Sequence, residues 1–312
     1  MKAALVTDYS LPPVWGNADA PRAANADEVL VLPRAAAISQ LVRARASGRH
    51  YSSAGALPQI VGVDGVGMLA SGERVFFAFP ALGSMAEQTL VKASLCVPVP
   101  DDLDDVTAAA LANPGMSSLA ALRYRAGFVP GDNVLINGAA GASGRLAIQI
   151  SRYLGAGQIV VTARKPEQEA ELLALGADCF VCLNQSDADL QASLAVHMAG
   201  MDIVLDYLGG VPAARILAAA SSSRPLRFVN IGSLAGVDIP VNAGWLRGKP
   251  LTLMGSGLDS VPNPDLMRCF AEALQMARPA GLQIATRSMP MAQIAEAWQY
   301  QGPERLVLTM AE

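Results

Sequence analysis

The sequence predicts an α/β fold in which a doubly wound parallel sheet is inserted in a β-rich domain. Three observations predict it. In the stretch Val134-Leu-Ile-Asn-Gly-Ala-Ala-Gly-Ala-Ser-Gly144 an apolar strand runs into a glycine-rich turn, which opens directly into a helix with the apolar-periodic run Arg145 to Leu154. Strand and helix then alternate as far as Gly255, the pattern of a parallel sheet with helices on both faces. The first hundred residues instead carry short runs broken by Gly, Pro and Ser, which reads as compact β structure.

Taken in order, Met1-Lys-Ala-Ala-Leu-Val-Thr7 alternates like an edge strand, and Glu28–Leu32, Gly65–Leu69, Arg74–Phe79 and Glu87–Val91 follow as strands. Thr107–Ala112 is an Ala-rich packing helix. After the turn, Gln158-Ile-Val-Val-Thr162 is a short buried strand. The helix Glu167–Leu175 has Pro166 at its first turn and stops at Gly176, the expected start and stop pair. A third strand holds Cys179–Cys182, and helix Ala188–Met198 leads to strand Asp202–Asp206. A helix around Ala213–Ala220 precedes strands Arg227–Ile231 and Leu251–Met254, each closed by glycine. The helix Asp265–Met276, the run Ile284–Ser288, the helix Met291–Tyr300 and a last strand Arg305–Thr309 extend the β-rich part, so the parallel sheet is an insertion within it.

Composition sets the bounds. The 312 residues suffice for two domains, and 52% hydrophobic against 16% charged content provides a sizeable core. A net charge of −4 with no basic run argues against a nucleic-acid partner. The start lacks an apolar stretch with a cleavage site, and no apolar segment approaches membrane-spanning length, so a cytoplasmic protein with no membrane partner is expected. The four cysteines are too scattered for a disulfide framework. Cys179 and Cys182 have CxxC spacing, but residues three apart in a strand point to opposite faces. With only His50 and His197 in the chain, no metal site is expected.

The turn carries the chemistry. Gly138, Ala139, Ala140, Gly141, Ala142, Ser143 and Gly144 lie between strand and helix, where glycines permit close backbone approach and the helix start aims free N–H groups at a dinucleotide pyrophosphate. The next strand ends in Ala163-Arg164-Lys165, with no acid to accept from a ribose 2′-hydroxyl. Arg164 and Lys165 suit a 2′-phosphate, which selects NADPH; the alternative is a solvated charged turn before Pro166.

Four motifs then stand in order: Ile60-Val-Gly-Val-Asp-Gly-Val-Gly67, Pro130-Gly-Asp-Asn-Val-Leu-Ile-Asn-Gly-Ala-Ala-Gly-Ala-Ser-Gly144, Leu175-Gly-Ala-Asp178 and Asp202-Ile-Val-Leu-Asp-Tyr-Leu-Gly-Gly210. Together they resemble the zinc-independent quinone oxidoreductase branch of the medium-chain dehydrogenase/reductase superfamily, over nearly the whole chain. The resemblance implies a GroES-like catalytic domain (1–112 and 258–312) split around a Rossmann domain (113–257), an active site in the cleft between them, NADPH as cofactor and a homodimer. Zinc-dependent relatives carry Gly-His-Glu where this chain has Gly62-Val-Asp64, and a cysteine cluster that this chain lacks. Ala139 takes the first glycine position of the fingerprint. Ser39 and Val42 stand where relatives usually have Asn and Asp, and Leu183 replaces a tyrosine used near the adenosine phosphate.

By the same resemblance Ile231, Gly232 and Ser233, and Met254, Gly255 and Ser256, border the nicotinamide ring. Ser117 bonds a cofactor phosphate or the carboxamide region, or else is an ordinary helix N-cap. Tyr51 matches the proton-donating tyrosine of related enoyl reductases; its other reading is a surface loop residue. Ser39 is the second catalytic candidate. His50 reads as solvated, Asp64 as a structural turn residue, and Arg43, Arg45 and Arg49 as either an anion-drawing run or a solvated face. The function expected is NADPH-dependent hydride transfer to a small quinone or α,β-unsaturated carbonyl. The alternative is an NADPH-binding structural or regulatory protein with little turnover.

Overall fold

The structure is a computed structural model that describes residues 1–49 and 56–310. The chain divides into two compact units. One comprises Met1–Asn113, Phe270–Arg278 and Gln283–Glu312, the other Pro114–Cys269 and Pro279–Leu282. Residues 258–269, assigned from sequence to the return segment, thus belong to the second unit. No helix among the described residues is long and apolar enough to cross a membrane.

The first unit opens with β1 (Lys2–Val6), β2 (Val14–Asn17), β3 (Glu28–Ala37), α1 (Gln40–Ala46), β4 (Gln59–Ile60), β5 (Asp64–Leu69), β6 (Arg74–Ala78), β7 (Thr89–Lys92) and β8 (Cys96–Pro98). The first part of the helix α2 (Asp105–Ala120), as far as Asn113, follows in this unit. The expected edge strand β1 is instead the middle of a three-stranded sheet, bonded to β2 on one side and β4 on the other. Its small and branched residues Ala3, Ala4, Leu5 and Val6 are buried, which alternation alone does not reveal.

The second unit holds β9 (Val134–Asn137), α3 (Ala142–Tyr153), β10 (Ile159–Ala163), α4 (Glu169–Ala174), β11 (Cys179–Cys182), α5 (Asp187–Met198), β12 (Ile203–Asp206) and α6 (Gly210–Ala219). It continues through β13 (Leu226–Asn230), α7 (Ala243–Gly248), β14 (Leu251–Gly255) and the first part of α8 (Asn263–Met276). The six strands are parallel, in the order β11-β10-β9-β12-β13-β14. That is the doubly wound order of dinucleotide-binding sheets. The central strands β9, β10 and β12 are buried along their whole length, whereas the edge strand β14 is partly exposed; Leu135, Val160, Val204 and Phe228 pack with Leu190, Leu194 and Ile216 from the covering helices.

The chain closes in the first unit with β15 (Thr286–Pro290), α9 (Ile294–Trp298) and β16 (Arg305–Thr309). Strand β16 pairs antiparallel with β3, Val307 opposite Ala37, in a seven-stranded sheet. Leu306 and Leu308 share a core with Val6, Ile38 and Val42. The parallel sheet is therefore an insertion in a mostly antiparallel β-rich domain, in which only β15 and β16 pair in parallel among the described strands, as the alternation of patterns predicts.

Candidate functional site

In an open parallel sheet ligands bind beyond the carboxyl ends of the strands, where the winding reverses. Here the reversal lies between β9 and β12. The turn after β9 is built on glycine. Gly138 has φ +86°, and a Cβ there would meet the Leu208 side chain at 2.7 Å. At Gly144 a Cβ would sit 2.5 Å from the Ala139 Cα, so the first turn of α3 lies directly against the loop. Gly141 is the opposite case: nothing lies within 4 Å of its Cβ direction. It is the N-cap of α3, with no side-chain cap and no acid in the first turn. The helix start thus keeps its free N–H groups and positive dipole end facing open space, which fits a pyrophosphate. Ala139 is buried, and Ala140, Ala142 and Ser143 are half-buried.

Thr162 ties this turn to the neighbouring strand, its carbonyl accepting from Ala139 N (2.9 Å) and its Oγ1 from Gly138 N (3.1 Å). The chain leaves β10 one residue later, so Arg164 and Lys165 start beside the turn. Both are exposed and neither joins an ion pair among the described residues. Leu183 closes the other side, its N–H donating to Ala163 O at 2.7 Å. The two strand thiols diverge: Gln158 Nε2 meets Cys179 Sγ at 3.6 Å, whereas Cys182 Sγ faces Arg164 O at 3.5 Å.

The loops after β13 and β14 are held to the same strand ends. Ile231 N and Gly232 N donate to Asp206 O at 2.7 and 3.1 Å, and Ser256 N donates to Asn230 O at 2.8 Å. Ser233 is exposed, Met254 half-buried, and Gly255 O accepts from Arg125 Nε at 2.7 Å.

Ser117 is neither an N-cap nor at a helix start. It lies well inside α2, which continues through Pro114. A proline inside a helix costs about 3 kcal/mol, outweighed here by burial of Leu111, Ala112, Met116, Leu119 and Ala120. The Pro114 carbonyl accepts from both Ser117 Oγ (2.9 Å) and Ser118 Oγ (3.0 Å). Ser118 Oγ in turn lies 2.9 Å from the buried Tyr207 hydroxyl. Burial pushes the Tyr207 phenol up to about 12, against the opposing Ser118 and Ser117 hydroxyls, so it stays a neutral hydrogen-bonding group.

In the first unit Ser39 is buried and caps α1, its Oγ accepting from Val42 N at 3.0 Å. Asp64 is buried at the start of β5. Burial raises its pKa to about 6, opposed by the Arg305 charge and by the Asn113 amide, which donates to Oδ2 at 2.7 Å. It is thus a buried strand residue where a turn residue was expected. Arg43 does not reach out to an anion: it donates to Trp298 O at 2.7 Å and stacks over the Trp298 ring. A cavity of about 670 Å³ is lined by Asp19, Val42, Arg45, Gln59 and Gly62 among others. His50 and Tyr51 lie outside the described residues.

A model of the zinc-binding dehydrogenase family matches residues 142–278. A probable NADPH-dependent quinone reductase of Emericella nidulans is 30% identical across 96% of this chain and 96% of its own. The chain belongs to the quinone oxidoreductase-like medium-chain dehydrogenases/reductases. An acrylyl-CoA reductase of Ruegeria pomeroyi is 31% identical over 58% of this chain and 54% of its own. A mycobacterial quinone oxidoreductase structure at 22% identity has the same fold, with a TM-score of 0.86 over 99% of both chains.

In this medium-chain reductase the sequence reading missed the polar residues behind the turn. Asn137, Thr162, Asp206 and Asn230 each stand at or one residue before the end of an apolar strand. That recurrence was the available signal: a buried polar group at a strand end has to find a partner.

Proposed function

We propose that this chain is an NADPH-dependent oxidoreductase that transfers hydride to a quinone or an α,β-unsaturated carbonyl without zinc. One observation carries the reading: a glycine-rich turn with open space at Gly141 stands at the reversal of the sheet, beside two exposed cations at the end of β10. The names of the relatives, a quinone reductase and an acrylyl-CoA reductase, support this substrate range. Bound NADPH supplies the hydride. The backbone N–H groups at the start of α3 hold the pyrophosphate, and Arg164 and Lys165 hold the 2′-phosphate. The segments Ile231–Ser233 and Met254–Ser256 border the nicotinamide, and Ser117 serves the carboxamide region. Tyr51 donates a proton to an enone substrate; Ser39, which accepts from Val42 N and keeps its own hydroxyl proton, is a second donor to a substrate oxygen. Val63 in place of the histidine of zinc-dependent relatives supports chemistry without a Lewis acid.

We also propose a homodimer built through β14. Among the described residues its outer edge has no partner strand, and its sequence Leu-Thr-Leu-Met-Gly carries no charge or proline to block pairing. Light scattering on the purified protein tests this.

The cofactor assignment is tested by titrating NADPH and NADH into wild type and Arg164→Ala/Lys165→Ala. NADPH should weaken by a few kcal/mol with NADH nearly unchanged. Equal binding of both cofactors with no effect of the double substitution makes the pair a charged turn. NADPH oxidation with quinone and enone acceptors then separates an enzyme from a cofactor-binding protein with little turnover.

A further inference from the structure

The buried carboxylate of Asp206 takes no part in the chemistry above, yet it stands at the sheet reversal with N–H donors on both its oxygens. Its Oδ1 accepts from Asn137 Nδ2 at 2.7 Å and Leu208 N at 3.1 Å. Its Oδ2 accepts from Asn230 Nδ2 at 2.8 Å, and Gly209 N is shared between Oδ2 at 3.1 Å and Oδ1 at 3.2 Å. No cation is among these partners. A wholly buried carboxylate tolerates this because each oxygen accepts from at least two N–H donors.

An ionised aspartate accepts and never donates, and that one-way character propagates. Asn137 must turn its NH₂ to Asp206, which leaves its Oδ1 to accept from Thr162 Oγ1 at 2.6 Å. The Thr162 hydroxyl is thereby fixed as donor to Asn137, and its lone pair faces Gly138 N. On the other side Asn230 Nδ2 also donates to Gly232 O at 2.8 Å. We propose that Asp206 is a positioning residue that sets the hydrogen-bond polarity of the Asn137–Thr162–Gly138 relay and so holds the phosphate turn and the Leu208–Gly209 and Ile231–Gly232 loops in one arrangement for the dinucleotide. The proposal rests on the NADPH-dependent reading for its ligand.

Asp206→Asn keeps shape and removes the one-way acceptor; Thr162→Val breaks the relay one step later, and Thr162→Ser restores its hydroxyl. In the cofactor-free protein, amide exchange at Gly138, Leu208 and Gly209 should quicken in Asp206→Asn, and exchange at Gly138 alone in Thr162→Val. Both variants should bind NADPH about tenfold more weakly, while adenosine 2′-phosphate, which reads only the end of β10, binds as to wild type. Thr162→Ser should recover both properties. Unchanged NADPH affinity and unchanged Gly138 exchange, with only a lower melting temperature, would overturn the proposal. If Asp206→Asn does not fold, the Thr162 pair decides by the same criteria. A wild type that binds neither NADPH nor NADH overturns the oxidoreductase reading instead, and the exchange measurements still decide the relay.

Discussion

Asn113 donates its side-chain amide to the Asp64 carboxylate at 2.7 Å, and that carboxylate is wholly buried. Burial raises the native pKa of Asp64 from 3.8 to about 6. The native state therefore holds this proton where the unfolded chain has lost it. Its contribution to stability is fully present below about pH 4 and is lost as pH rises through about 6. Two pKa units correspond to about 3 kcal/mol. Asp64→Asn, which keeps an oxygen acceptor for Asn113, should flatten this dependence. Urea unfolding at pH 5 and pH 8 checks it: the gap between wild type and variant should shift in favour of the variant at the higher pH.

The glycines of the turn have separable roles. Gly144→Ala drives a Cβ to 2.5 Å from the Ala139 Cα and should destabilise the protein by about 1–3 kcal/mol. Gly141→Ala meets nothing and has an ordinary φ of −78°, so it should fold with a loss of about 1 kcal/mol or less. Its methyl group occupies the open space before α3, so NADPH affinity should fall all the same. Melting temperature and cofactor titration on the two variants distinguish the effects.

Tyr207→Phe removes the hydroxyl 2.9 Å from Ser118 Oγ, while Ser118 keeps its bond to the Pro114 carbonyl. The cost should be about 1 kcal/mol in thermal unfolding. With the phenol pushed up to about 12, the alkaline absorbance titration of wild type and variant should coincide up to about pH 11 while both stay folded.

Arg43→Ala should lower stability, because the side chain joins α1 to α9 through the Trp298 carbonyl and ring. Reduction of anionic and neutral acceptors should fall by the same factor. A selective loss with the anionic ones would restore the anion-drawing reading.

The sequence by itself determined the doubly wound sheet, its place as an insertion, and the location of the glycine-rich turn at the sheet reversal. Those features are local: apolar strands, and glycines where a helix must start close to a strand, leave their mark within a few residues. Only the tertiary structure decided that β1 is a central strand, that α2 runs through Pro114 so that Ser117 faces its own helix carbonyl, and that Arg43 is held by Trp298. It alone joined Asn137, Thr162, Asp206 and Asn230, which come from four strands and meet only because parallel pairing aligns their ends. A strand's polar last residue is visible in one dimension. Its partner is set by sheet order and register, which depend on burying both faces of the sheet at once.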